Sequence, residues 1–134
     1  MNKTINEIIN RLKKYQEADF ELDSDSIIVH PKNKNGFPVV LIDNGKGNFT
    51  VEYDFWHEEF KSEEEAISCF GYGLSNECRL KVKKRGNKRI KWTLQFNKNG
   101  NWEDESTVAI FDFQFWKKSE YEFLQNDLIK NISE

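Results

Sequence analysis

The stretch Trp56-His57-Glu58-Glu59-Phe60 sets an imidazole beside two carboxylates. A carboxylate stabilises a protonated ring, so His57 with Glu58 or Glu59 has the composition of a general acid–base pair in a small hydrolase. The same side chains, joined by a cysteine, are also zinc-ligand types for a metal-assisted enzyme. Partners are scarce, however. The only histidines are His30 and His57, and no His-His spacing typical of a metal site occurs. The plainer reading is a connecting loop with Trp56 and Phe60 buried and the acids placed ahead of a helix N-terminus, where negative charge is favoured.

The second cluster is basic. Arg79, Lys81 and Lys83 alternate with Cys78, Leu80 and Val82, and Arg89, Lys91, Thr93 and Gln95 alternate with Ile90, Trp92, Leu94 and Phe96. This is a hairpin with one apolar and one cationic face, with Lys84, Arg85 and Lys88 around its turn. A three-residue loop at Arg85-Gly86-Asn87 sets Val82 against Ile90, Leu80 against Trp92 and Cys78 against Leu94. A two-residue loop sets Val82 against Lys91 and mixes the faces. The expected register therefore puts Lys83 opposite Arg89 and Lys81 opposite Lys91. Like charges directly opposite cost up to about 1 kcal/mol per pair. Something offsets that repulsion: salt and acids of the same fold, an anionic macromolecule, or a small phosphorylated or carboxylated ligand. Single-stranded nucleic acid calls for exposed aromatics among the cations, whereas Trp92 and Phe96 fall on the opposite face. A protein partner carrying carboxylates fits better, and a second copy offering its own acidic segment would serve as a homodimer. The function expected is thus a non-enzymatic binding domain recognising a protein partner through a charged sheet face, with a small hydrolase or metal-assisted enzyme centred on His57, Glu58 and Glu59 as the first alternative and nucleic-acid binding through the hairpin 79–91 as the second.

The remaining motifs carry little chemistry. Cys69 lies among Ile67, Phe70 and Leu74 at helical spacing, where a buried thiol is inert. No nucleophile elbow, phosphate loop or dinucleotide fingerprint occurs, and no cofactor or metal is implied. Gly71-Tyr72-Gly73 reads as a helix end, with Gly73 as a left-handed cap. Trp102 with Glu103, Asp104 and Glu105 reads as a solvated acidic loop held by one aromatic. Phe111, Phe113, Phe115 and Trp116 read as core.

The elements that must position these residues follow from periodicity. Ile5, Ile8, Ile9, Leu12 and Tyr15 make a helical stripe running to about Gln16, with Thr4 and Glu7 as its capping box. Acids from Glu17 to Asp25 form a loop or strand lead-in. Ile27–Val29, Phe37–Asp43 and Asn48–Phe55 read as strands. The second and third are joined at Asn44-Gly45-Lys46-Gly47 so that Ile42 meets Phe49, Val40 meets Val51 and Pro38 meets Tyr53. Ser62 and Glu65 open a second helix to about Tyr72. After the hairpin, Thr107–Phe115 reads as a central strand. Ser119 and Glu122 then open a third helix with Tyr121, Leu124, Leu128 and Ile132 on its stripe. The order is α-βββ-α-βββ-α, an α+β fold with an antiparallel sheet of about six strands and helices packed on one face, in one domain over residues 1–134.

The chain of 134 residues has a net charge of −3, which argues against nucleic acid as a default partner. The charge is segregated: Glu17–Glu65 holds thirteen acids and four lysines, while Cys78–Trp102 holds nine Lys or Arg and no acid. No apolar run long enough to span a bilayer or to serve as a signal peptide is present. With two cysteines suited to a reducing compartment, the expected location is cytoplasmic. The runs Trp56-His57-Glu58-Glu59-Phe60, Glu63-Glu64-Glu65-Ala66, Cys69-Phe70, Gly73-Leu74-Ser75 and Cys78-Arg79-Leu80 resemble a small bacterial family with no assigned activity. Trp92-Thr93, Trp102, Asp104 to Thr107, Phe115-Trp116 and Tyr121 to Ile129 continue the likeness, which spans roughly residues 48 to 130. The resemblance implies a bacterial stand-alone domain and transfers no catalytic residue. The element order alone is similar to secretion chaperones, which dimerise and bind unfolded client segments. The basic hairpin and the strand Thr107–Phe115 depart from that pattern.

Overall fold

The computed structural model describes residues 2–112, 114 and 116–130. Helix α1 (Lys3–Leu12) is capped by Asn2, whose Oδ1 accepts the Ile5 amide at 3.0 Å. Thr4, the expected cap, lies one step inside the helix and is buried. Its hydroxyl donates to Glu63 at 2.9 Å and so ties α1 to the start of α2 (Glu63–Leu74). The cap of α2 is Ser62, as its spacing to Glu65 predicts, with its Oγ accepting the Glu65 amide at 3.3 Å.

Strands β1 (Asp19–Leu22), β2 (Ser26–His30), β3 (Val39–Gly45), β4 (Asn48–Tyr53) and β5 (Trp56–Phe60) form an antiparallel sheet in sequence order. The β3–β4 register is one residue away from the expected one. The turn is the two-residue Lys46-Gly47, both left-handed, and the ladder shifts between Asp43 and Gly45. Val39 therefore meets Tyr53 and Leu41 meets Val51, so Val39 and Leu41 are buried while Val40 and Ile42 take the other face. The run expected as a loop, Trp56 to Phe60, is β5, because Asp54 accepts a left-handed conformation (φ 57°) and turns the chain back in two residues.

Strands β6 (Cys78–Arg85), β7 (Lys88–Lys98), β8 (Asn101–Ala109) and β9 (Ser119–Leu124) form a second antiparallel sheet, ordered β8-β7-β6-β9. The mixed α+β class holds, and the described residues form two sheets of five and four strands and two helices in place of one six-stranded sheet and three helices. The expected third helix is the correction with most consequence. Ser119 to Leu124 also alternates with period two, and as a strand it satisfies the free edge of β6. Ile132, on which the helical stripe ended, lies outside the described residues, as do Phe113 and Phe115. The strand expected over Thr107–Phe115 ends at Ala109 and lies at the sheet edge, and Phe111 is 76% exposed.

Buried side chains from both sheets and both helices make one apolar cluster. At its centre Trp56 stacks on Tyr53 with ring centroids 4.7 Å apart. The sheets are also tied by polar contacts: Trp56 Nε1 donates to Ser106 Oγ at 2.9 Å, and Trp92 Nε1 donates to Asp54 Oδ2 at 2.7 Å. Buried Asn126 fastens the segment after β9 by donating to the Phe37 and Gly73 carbonyls while accepting the Phe37 amide. Among the described residues no helix is long and apolar enough to cross a membrane.

Candidate functional site: the outward face of the second sheet

The β6–β7 hairpin closes on the two-residue turn Gly86-Asn87, with Arg85 opposite Lys88. On its own that turn would put Val82 against Lys91. A bulge at Ile90 adds one residue to β7 and restores the faces, setting Val82 against Trp92, Leu80 against Leu94 and Cys78 against Phe96. The expected three-residue register is thereby corrected. Lys83 faces Lys91 and Lys84 faces Arg89, while Lys81 lies opposite Thr93 rather than Lys91.

The cations differ in their surroundings. Lys84, Arg85 and Arg89 have acids brought by other elements, whereas Lys88, beside the turn, has none within ion-pair distance among the described residues. Arg89 pairs with Glu122 of β9 at 2.8 Å and with Asp54 at 3.0 Å, Lys84 lies 3.8 Å from Glu122, and Arg85 lies 3.0 Å from Asp112. Arg79, Lys81, Lys83 and Lys91 point outward, and among the described residues no acid stands within ion-pair distance of them.

Aromatic rings stand where those acids are missing. The Arg79 guanidinium lies 4.4 Å from the Trp102 ring centre on β8 and 4.3 Å from that of Phe123 on β9, and its Nε donates to Gln95 Oε1 at 2.8 Å. Partial burial pulls the Arg79 pKa below its ordinary value, yet an arginine stays charged. Lys81 Nζ lies 4.6 Å from the Tyr121 ring centre. The pairing explains the arrangement: Phe123 is opposite Lys81 and Tyr121 is opposite Lys83, so both rings share the cationic face. Beneath them Thr93 shares a hydroxyl contact of 3.0 Å with Thr107, and Gln95 donates to Asp104 at 2.8 Å; Thr93 and Gln95 are buried. Tyr121 and Phe123 remain 51% and 48% exposed. Phe111 and Trp116, on the segment between β8 and β9, are also exposed rather than core.

The His57 cluster is separate from this face. Trp56 is buried and bridges the sheets. Strand alternation turns His57 and Glu59 to one side of β5 and Glu58 to the other. His57 Nδ1 lies 3.2 Å from the Phe55 carbonyl. Glu58 lines a cleft of about 330 Å³ together with Cys69, Tyr72 and Glu105. Burial pushes the Cys69 thiol up to about 12, so it is no thiolate at neutral pH. Burial, and secondly the nearby Glu58, raise the Glu105 carboxyl. Among the described residues no group of three or more His, Cys, Asp or Glu side chains is placed to hold a metal ion.

The sequence points to Arg79, Lys81, Lys83 and Lys91 but not to Trp102, Tyr121 and Phe123. The two-residue spacing in Ser119-Glu120-Tyr121-Glu122-Phe123 was the available signal, and it competes with an equally good helical reading of the same residues. No protein-family model, curated protein or solved structure matches this chain.

Proposed function

We propose that this chain is a non-enzymatic binding domain that engages an anionic partner on the outward face of its second sheet. The observation that carries the reading is the set Arg79, Lys81, Lys83 and Lys91, which share one face with half-exposed rings and have no acid within ion-pair distance among the described residues. Lys83 and Lys91, directly opposite each other, repel, and a bound anion relieves that repulsion. Arg89, by contrast, already has Glu122 and Asp54 and contributes to the fold.

Retention on a heparin resin tests the reading. A chain of net charge −3 is held at low salt only if its positive charge is concentrated. Wild type is expected to bind and Lys83→Glu/Lys91→Glu to pass through. Lys13→Glu/Lys14→Glu makes the same change in net charge at the end of α1 and is expected to bind like wild type. Equal retention of all three proteins, or none for wild type, would overturn the reading.

A further inference from the structure

We infer that the partner is a single-stranded nucleic acid, a step that rests on the reading of this face as an anion-binding surface. A carboxylate-rich protein segment would use the cations but not the rings, because the face of an aromatic ring carries negative potential and offers nothing to an anion. Tyr121 and Phe123 are half-exposed on one face of β9, two residues and so about 7 Å apart along the strand. Each already carries a cation on its ring, Lys81 on Tyr121 and Arg79 on Phe123. Lys83 lies opposite Tyr121 on one side and Lys91 on the other. A ligand that complements the whole surface presents flat π groups at short intervals along a closely charged backbone. An unpaired strand does this, with its bases stacked on the exposed parts of the rings that Lys81 and Arg79 leave open and its phosphates tracking Lys83 and Lys91. A duplex does not, because its base faces are hidden. The floor of the surface adds a second feature. Thr93 is engaged by Thr107, and Gln95 by Arg79 and Asp104, leaving few groups to read base edges. Binding is therefore tolerant of sequence.

This reverses the expectation drawn from the hairpin alone, in which Trp92 and Phe96 on the buried side left the cations without aromatics. The rings come from β8 and β9.

The test is fluorescence anisotropy of end-labelled oligouridine and oligothymidine, each of about ten nucleotides, at low salt. Saturable binding that weakens with added salt is expected. Tyr121→Ala/Phe123→Ala is expected to lose about five- to hundredfold per ring, and Tyr121→Leu/Phe123→Leu, which keeps apolar cover over the sheet, should also lose affinity. Circular dichroism confirms that each variant is folded. Absence of saturable binding, affinity unaffected by both ring substitutions, or equal binding of a duplex would overturn the inference. A polyglutamate peptide separates the two proposals. If the peptide binds and Lys83→Glu/Lys91→Glu abolishes this while oligonucleotides do not bind, the anionic-partner reading stands and the nucleic-acid inference falls. If neither ligand binds, both fall.

Discussion

The Arg79 guanidinium lies 4.3 Å from the ring centre of Phe123, a residue 44 positions further along the chain that β9 brings beside β6 (123 − 79 = 44). The contact joins the charge of the hairpin to an aromatic of the adjoining strand. Each partner limits the cost of the other: the ring screens one cation from its neighbours, and the cation covers part of an exposed apolar surface.

That contact is expected to be measurable as a coupling. In a double-mutant cycle of Arg79→Met and Phe123→Leu, read by urea denaturation, the coupling should be about 0.5–2 kcal/mol in favour of the native pair. Arg79→Lys should not recover it, because a lysine cannot both stack between Trp102 and Phe123 and donate to Gln95 as the planar guanidinium does. Additive single-variant effects would show that the stack is incidental.

Two glycines of α2 should respond in opposite directions to the same substitution. Around Gly71 an added Cβ would meet nothing within 4 Å beyond its chain neighbours and its own helix backbone, so Gly71→Ala should stabilise by up to about 1 kcal/mol through helix propensity. At Gly73 the added Cβ would lie 2.3 Å from the Tyr53 ring. That ring is buried and stacked on Trp56, and its hydroxyl donates to the Cys69 carbonyl, so it has no room to retreat. Overpacking of about 1–3 kcal/mol then outweighs the propensity gain, and Gly73→Ala should lower the Tm. Thermal denaturation of the two variants side by side decides this.

How much of this was legible differs from element to element, for physical reasons. Helix α2 was readable because Ser62 and Glu65 mark its start and Ala66, Ile67, Phe70 and Leu74 repeat at helical spacing. The role of Gly73 was not, because its reason is a ring from β4 and not a cap. Both hairpins are legible in the sequence, yet their registers depend on bulges at Asn44 and Ile90, each of which exchanges the faces for one added residue. Strand β9 was hidden because its six residues are too few to separate a period of two from a helical one, and only the open edge of β6 decides between them. The cations of the site were therefore visible in the sequence and its aromatics were not.

The stability of the protein should depend on pH through Glu105. Its carboxyl is raised in the fold, by burial first and by Glu58 second, so folding favours the protonated form. That contribution is fully present below the unfolded carboxylate range and is lost as pH rises through the folded value. Glu105→Gln should therefore raise the Tm at neutral pH and leave it nearly unchanged in acid, where the carboxyl is already protonated. Thermal melts of both proteins across the acidic range check the sign, and a gain that is largest in acid would contradict it.

The central claim is that one face of the second sheet does the binding. Backbone amide shifts, followed by two-dimensional NMR during titration with a heparin tetrasaccharide, test it most directly, because they locate the contact without any substitution. The predicted result is a set of saturable shifts confined to Arg79–Lys83, Lys91–Gln95 and Tyr121–Phe123, with the five-stranded sheet and the His57 strand unmoved. Shifts centred on β1 to β5, or none at all, would contradict the account.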